Sequence, residues 1–182
     1  LEVRRMAREE KLPALTVCPS IVYGPDHPSH PNRVTSEIRR LLRRRPVVLI
    51  GGGRHRRNLV YVDDVVRGLL AAERLGRPGE EYILGGGEVT HRDLATLVRE
   101  RAGIPGGLWI PLPAGVAVAA ALAADRTLGY DPGCGFVSVV RNLLCEWRFS
   151  SAKACRELGI QPLSPAEGVG RTIDWIRGME DR

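Results

Sequence analysis

Two stretches of this chain hold residue types in an order that chemistry can use. The first is Cys18-Pro-Ser-Ile-Val-Tyr-Gly-Pro25. An apolar run that ends in proline and passes into Tyr-Gly-Pro leaves backbone groups at the carboxyl end of a strand. Doubly wound parallel sheets bind their ligands there. The same residues also make a plain strand-to-loop transition. The second stretch is Arg57-Asn-Leu-Val-Tyr-Val-Asp-Asp-Val-Val66, where a strand meets a helix. Asp63 and Asp64 would supply its N-cap and the carboxylates that favour the positive end of its dipole.

Other reactive types are scattered. The four cysteines, Cys18, Cys134, Cys145 and Cys155, form no Cys-x-x-Cys pair, which points to reduced thiols in a cytoplasmic protein. His27 and His30 form His-x-x-His, but in a proline-rich stretch with no third ligand, so no metal site is expected. The formal charge of +6 gathers at Arg39, Arg40 and 43–45, then at Arg54, Arg56 and Arg57. No aromatic residues interleave these arginines, and there is no nucleic-acid motif, so a small-molecule partner is expected and nucleic acid is not. The longest apolar run, 114–124, has eleven residues, against about 20 needed to cross a bilayer. No membrane partner is expected. The chain of 182 residues opens on Leu rather than Met, and reads as a piece of a longer protein.

The elements that must position these residues follow from periodicity. Residues 1–11 have apolar positions at helical spacing, and 14–18 form a β-rich run between prolines. A helix is expected over 34–44, a strand over Val47–Ile50, a basic loop after the glycines at 51–53, a strand over 58–62 and a helix over about 65–75. The strand Glu81–Leu84 runs into three glycines. Thr90-His-Arg-Asp93 opens a further helix with a capping box, and Gly103 closes it. A short strand at 108–110 precedes an Ala-rich helix, 129–135 reads as a loop, and 136–145 fits strand or helix equally. Two helices follow, one ending at Gly159 and one over 165–177. The order is βα-like early and helical late, as for part of a parallel sheet followed by a mostly helical lobe.

In this order and spacing, the two stretches resemble the extended short-chain dehydrogenase/reductase, or NAD-dependent epimerase/dehydratase, family. The tail agrees: Phe149-Ser-Ser-Ala-Lys-Ala-Cys-Arg-Glu-Leu-Gly159, Glu167-Gly168 and Thr172 to Trp175 look like the family's Ser-x-Lys-Ala, Leu-Gly, Glu-Gly and Thr-x-x-Trp pattern. The resemblance implies an α/β fold: the C-terminal remainder of a Rossmann-type doubly wound parallel sheet plus a small, mostly helical substrate lobe. Residues 1–24 and 58–87 would belong to the dinucleotide domain, and 25–57 and 88–182 to the lobe.

The family's cofactor is NAD or NADP. Its proton-transfer pair is Tyr-x-x-x-Lys, which this sequence lacks. Four residues after Tyr23, Tyr61, Tyr82 and Tyr130 stand His27, Val65, Gly86 and Cys134. No catalytic residue is therefore expected in this chain, and the chain alone is expected to be inactive. The resemblance implies cofactor contact for Pro19, Ser20, Ile21 and Val22, largely through backbone, and substrate contact for Tyr23 and Arg57. Arg57 matches a position at which sugar-nucleotide epimerases hold the substrate's diphosphate, although a solvated arginine of the basic loop fits equally. Asp64 would cap its helix. The segment 108–113, Leu-Trp-Ile-Pro-Leu-Pro, departs from those epimerases, which carry a second phosphate-binding arginine there. It looks more like the dihydroflavonol-reductase-like and hopanoid-associated epimerase branch, with Trp109 and Trp147 as core residues or pocket walls. Three readings stand: an oxidoreductase or epimerase of that branch, a sugar-nucleotide epimerase or dehydratase, and a non-catalytic binding protein that kept the fold. A homodimer is compatible with each.

Overall fold

The computed structural model describes residues 2–27, 29–105, 109–131 and 133–180. In chain order the elements begin with α1 (Glu2–Glu9), β1 (Thr16–Pro19), β2 (Ile21–Tyr23), α2 (Arg33–Leu42), β3 (Val47–Ile50) and β4 (Arg56–Tyr61). They continue with α3 (Val62–Leu75), β5 (Glu81–Leu84), β6 (Gly87–Thr90), α4 (His91–Ala102) and β7 (Trp109–Leu112). Four helices close the chain: α5 (Ala114–Leu128), α6 (Phe136–Leu144), α7 (Ala152–Leu158) and α8 (Pro165–Glu180). The mixed α/β class expected from the alternation is what forms. Part of the strand expected at 108–110 lies outside the described residues, and β7 continues it to Leu112.

The chain divides into two compact units. The first comprises 1–37, 58–88 and 148–182, and the second 38–57 and 89–147.

In the first unit, β1 pairs in parallel with β5, from Thr16 opposite Glu81 to Pro19 opposite Leu84. β2 pairs in parallel with β4, from Ile21 opposite Leu59 to Tyr23 opposite Tyr61. The sheet order β2-β4-β6 adds a third strand beyond β4. Helix α3 returns the chain from β4 to β5, as parallel pairing requires. Beneath it lies an apolar cluster of Val60, Val65, Ala72, Tyr82, Leu84, Ala154 and Leu158.

Residues 25–37 and 148–182 join this unit by contact, whereas the sequence pattern assigned them to the lobe. The reasons are local. Asn32 donates to the Val22 carbonyl at 2.6 Å, and Thr35 Oγ1 donates to the Gly24 carbonyl at 2.8 Å. Helix α7 inserts Ala154 and Leu158 into the cluster, and Lys153 Nζ reaches both the Glu80 carboxylate and, at 3.0 Å, the Glu81 carbonyl. Helix α8 buries Val169, Ile173 and Ile176 along one face. Each such side chain contributes about 2 kcal/mol when removed from water.

Tyr23 explains one sequence choice in α8. It is 2% exposed and meets Tyr61 edge to face, with ring centroids 5.8 Å apart. Its hydroxyl lies against Gly168, where a Cβ would come within 1.9 Å of it. Any larger residue at 168 would displace either the ring or the helix.

In the second unit, β3 pairs in parallel with β7, from Val47 opposite Trp109 to Ile50 opposite Leu112. The capping box at Thr90 forms as expected: Thr90 Oγ1 accepts from the Asp93 amide, and Asp93 accepts from the Thr90 amide, each at 3.0 Å. Gly103, at φ +66°, ends α4 in the left-handed conformation that glycine adopts without strain.

Segment 136–145 resolves as helix α6, packing Val137 and Val140 on Ala117 and Ala121 of α5. Helix α5 runs past the apolar stretch to Leu128, just before the expected loop at 129–135. The buried Asp125 carboxylate accepts the Phe136 and Val137 amides at 2.7 and 3.0 Å. A residue in the last turn of one helix thus caps the start of the next. Among the described residues, no helix is long and apolar enough to cross a membrane.

Two outcomes follow from this packing. Asp125→Ala should cost about 1–2 kcal/mol, the usual scale for a lost N-cap, and Asp125→Asn should recover at most part of it, because its Nδ2 cannot accept the second amide. Chemical denaturation of the three proteins checks this. Burial, with the Asp64 charge and Tyr61 adding to it, pushes the Tyr23 phenol well above its usual range. The unfolded chain ionises this phenol near pH 10, so above that the folded state holds more protons and stability falls with rising pH. The contribution is fully present below about pH 10. Thermal melts between roughly pH 9 and 11.5 should show a declining midpoint that Tyr23→Phe flattens. Equal slopes for the two proteins would rule out Tyr23 as the cause.

Candidate functional site

The strand run 16–23 changes partner at Ser20. Before it β1 bonds to β5, and after it β2 bonds to β4. Ser20 itself donates its amide to the Leu84 carbonyl at 3.0 Å, the last rung shared with β5. Its hydroxyl is buried and has no hydrogen-bond partner among the described residues. A buried hydroxyl without a partner is costly, and such groups mark places where a ligand completes the set. Pro19 is exposed, and Ile21 and Val22 are half-buried. The four residues assigned to cofactor contact therefore form one continuous edge at the carboxyl end of β1. Among the described residues, β1 has a neighbouring strand on one side only.

Tyr23, the next residue, does not share that edge. Its side chain is 2% exposed and packs in the core. Its observed role is to seat α8 through Gly168.

Asp64 departs from expectation as well. Tyr61 occupies the N-cap position of α3, and no side chain caps it. The buried Asp64 carboxylate instead pairs with Arg67 and accepts the Leu163 amide at 2.9 Å. Its work is to fasten the segment before α8 to the first turn of α3. Both aspartates still lie in that turn, where the helix dipole favours them.

Arg57 is placed by β4. The strand begins at Arg56, two residues earlier than the sequence pattern suggested, so Arg57 lies in a ladder and not in the basic loop. It is 5% exposed, which removes the reading of a solvated loop arginine. Segment 145–147 runs beside this point. Trp147 donates its amide to the Arg56 carbonyl at 2.9 Å, and Arg57 and Trp147 form a parallel bridge. The Glu146 carboxylate accepts the Arg56 amide at 3.2 Å, and His55 stands 3.9 Å from the same oxygen.

Asn58 was missed by sequence reasoning. It is 2% exposed, and its Oδ1 accepts the Gly86 amide at 3.0 Å while its Nδ2 donates to the Phe149 carbonyl at 3.2 Å. One amide side chain thereby joins the strand after Arg57 to the turn between β5 and β6 and to the tail. The signal was present: a polar residue inside an otherwise apolar strand is buried only with partners. Trp109, by contrast, has the Arg99 guanidinium 3.9 Å above its ring and borders an open groove of about 540 Å³ at the end of α4.

Comparison with known proteins bears on the family and the fold. Residues 1–85 match the sequence model of the NAD dependent epimerase/dehydratase family. A dTDP-glucose 4,6-dehydratase of Streptomyces antibioticus is 34% identical over 157 residues, 85% of this chain and 39% of that protein. The solved UDP-glucose 4-epimerase of Thermotoga maritima, with UDP-glucose, superposes with a TM-score of 0.71 at 27% identity, covering 98% of this chain and 50% of that one. The dTDP-glucose 4,6-dehydratase of Streptomyces venezuelae, solved with NAD, gives 0.66 at 25% identity, covering 98% and 48%. The chain thus spans two-fifths to half the length of these relatives. Residues 1–85 thus resemble the NAD dependent epimerase/dehydratase family, and the fold is shared with these solved structures along nearly the whole chain.

Proposed function

We propose that this chain is the substrate-side half of an NAD-dependent sugar-nucleotide epimerase or dehydratase. The observation that carries the reading is Arg57, a cationic side chain held at 5% exposure on β4. A guanidinium donates in a planar fork that matches phosphate oxygens, and burial strengthens that bond. The relatives named for dTDP-glucose and UDP-glucose chemistry supply the substrate class, which takes a diphosphate as its common handle.

The edge at Ser20 fits the cofactor. Its hydroxyl offers a donor and two lone pairs, and Pro19, Ile21 and Val22 supply an apolar flank with backbone carbonyls. When bound, NAD takes up or returns a hydride. The chain's own part is to orient: Asn58 fixes the strand that carries Arg57, and Asp64 fastens the tail to α3. No Tyr-x-x-x-Lys stands in this sequence, so the proton-transfer pair comes from outside it. Incubated alone with NAD and dTDP-glucose, the chain should form no epimer and no dehydrated keto-sugar, as read by chromatography of the nucleotide sugars, since the overall reaction leaves NAD unchanged. Steady turnover would overturn that assignment.

A second reading, a reductase or epimerase of the dihydroflavonol-reductase-like or hopanoid-associated branch, is favoured by β7. There Trp109-Ile-Pro-Leu112 stands where a second phosphate-binding arginine is otherwise expected. Titration calorimetry of the protein carrying this chain with dTDP-glucose and UDP-glucose separates the two. Binding that Arg57→Ala weakens roughly 10–100-fold, the scale of a charge-assisted hydrogen bond, supports the sugar-nucleotide reading. No binding of either, or an Arg57→Ala protein of native circular dichroism with unchanged affinity, sinks it in favour of the second.

A further inference from the structure

We propose that the second compact unit binds the surface of anionic lipid bilayers, through uncovered apolar side chains flanked by arginines. The inference is independent of the sugar-nucleotide reading above. It begins with charge. Residues 38–57 hold eight arginines and no acidic residue, whereas 89–147 hold five basic and five acidic residues. The second unit therefore carries a formal +8, which leaves −2 for the first out of the chain's +6. Such an asymmetry between two parts of one chain points to a polyanionic partner. Arg40, Arg44, Arg45 and Arg54 are exposed. Arg44 and Arg45 stand in the turn that enters β3, where their amides donate to the Leu41 and Arg40 carbonyls at 2.9 and 3.1 Å.

Exposed apolar groups in the same unit decide which polyanion. Val48 lies opposite Ile110 in the β3–β7 ladder, and Ile50 opposite Leu112. Alternate residues of a strand share a face, so these four side chains line one side of the sheet. Helices α5 and α6 pack on Ile50 and Leu112, while Val48 and Ile110 stay exposed. Helix α5 adds a second uncovered strip. It has no polar side chain before Asp125, yet Val116, Ala119, Ala120 and Ala123 are exposed. A helix that is apolar all round is ordinarily covered. Beyond its last turn, Tyr130 and Phe136 meet edge to face at 5.7 Å, and both remain exposed, as does Leu128.

Nucleic-acid phosphates would engage the arginines and leave Val48, Ile110 and α5 in water. A bilayer interface engages both. Lipid headgroups take the guanidinium groups, the acyl boundary takes the aliphatic side chains, and tyrosine sits at headgroup level. The long arginine stem reaches between these depths. The apolar run 114–124 is too short to span a bilayer, but lying at its surface sets no such length.

The test floats the protein carrying this chain with phosphatidylcholine vesicles, with and without about 30 mol% phosphatidylglycerol. Binding is expected only to the anionic vesicles, and raising salt from roughly 0.05 to 0.5 M should weaken it several-fold. Arg40→Gln with Arg45→Gln should weaken it about 25-fold, five-fold for each charge lost near the surface. Leu128→Ser with Phe136→Ser, which keeps every charge, should weaken it at least about 5-fold. A similar loss is expected from Val48→Thr with Ile110→Thr, whose β-branched side chains keep the ladder and guard against a merely unfolded variant. Circular dichroism checks each protein. Absence of flotation, or equal flotation with and without phosphatidylglycerol, would overturn the inference. So would parent-like binding by both apolar variants. A single-stranded oligonucleotide that displaces the vesicles, and whose own binding the apolar substitutions leave unchanged, would assign the surface to nucleic acid instead.

Discussion

One strand run has to serve two partners, and much of the first unit follows from how it does so. Residues 16–19 bond to β5 and residues 21–23 to β4. A parallel ladder is regular, so a change of partner needs a residue that belongs to neither register. Ser20 is that residue. Its amide finishes one ladder, and its side chain is left buried without a bond at the strand's carboxyl end. The cofactor edge is therefore a by-product of sheet geometry: the place where hydrogen bonding must be interrupted is also where polar groups become available to a ligand. The preceding proline suits this, since it has no amide to lose.

The rest of the molecule is held by side chains that do backbone work at long range. Asp64 takes an amide 99 residues away, Asn58 ties a strand to a carbonyl 91 residues on, and Lys153 reaches back 72 residues to the Glu81 carbonyl. Asp125 does the same over a shorter span for the first amides of α6. Each satisfies main-chain groups that a helix end or a turn would otherwise leave bare. Such bonds are worth more than surface ion pairs because truncation leaves a buried partner uncompensated. They also fix position: Arg57 is held between Asn58, anchored on one side, and Arg56, clamped to residues 146 and 147 on the other.

Local pattern carried the elements well where period and caps agreed. The capping box at Thr90, the glycine stop at 103 and the strands Val47–Ile50 and Glu81–Leu84 are all decided by residues within a few positions of one another. Reading failed where a distant partner overrode the local signal. Asp64 has the type and place of a cap and spends itself on Leu163 instead. Tyr23 sits in a motif that suggests a ligand, and only the glycine 145 positions later shows that its ring is core. Arg57 and Pro19 to Val22 were candidates through what the family resemblance implies. The burial of Arg57 and the neighbouring Trp147 and Asn58 were not legible, because both follow from which segments pair with β4.

The interleaving of the two units bears on how the chain assembles as it is made. The first unit needs residues 148–182, so it cannot close while 89–147 is still being added. At about 5–20 residues per second, that segment alone takes several seconds to emerge. Through that interval Tyr82 and Leu84 lack the α7 side of their core, and the Asp64 carboxylate lacks the Leu163 amide. The cluster built on Ala117, Ala121, Val137 and Val140 needs nothing beyond residue 144 and is complete sooner. Order of synthesis and order of folding are thus inverted here: the part that starts the chain finishes last, and a nascent chain stalled before residue 148 carries an open core that chaperones would have to shield.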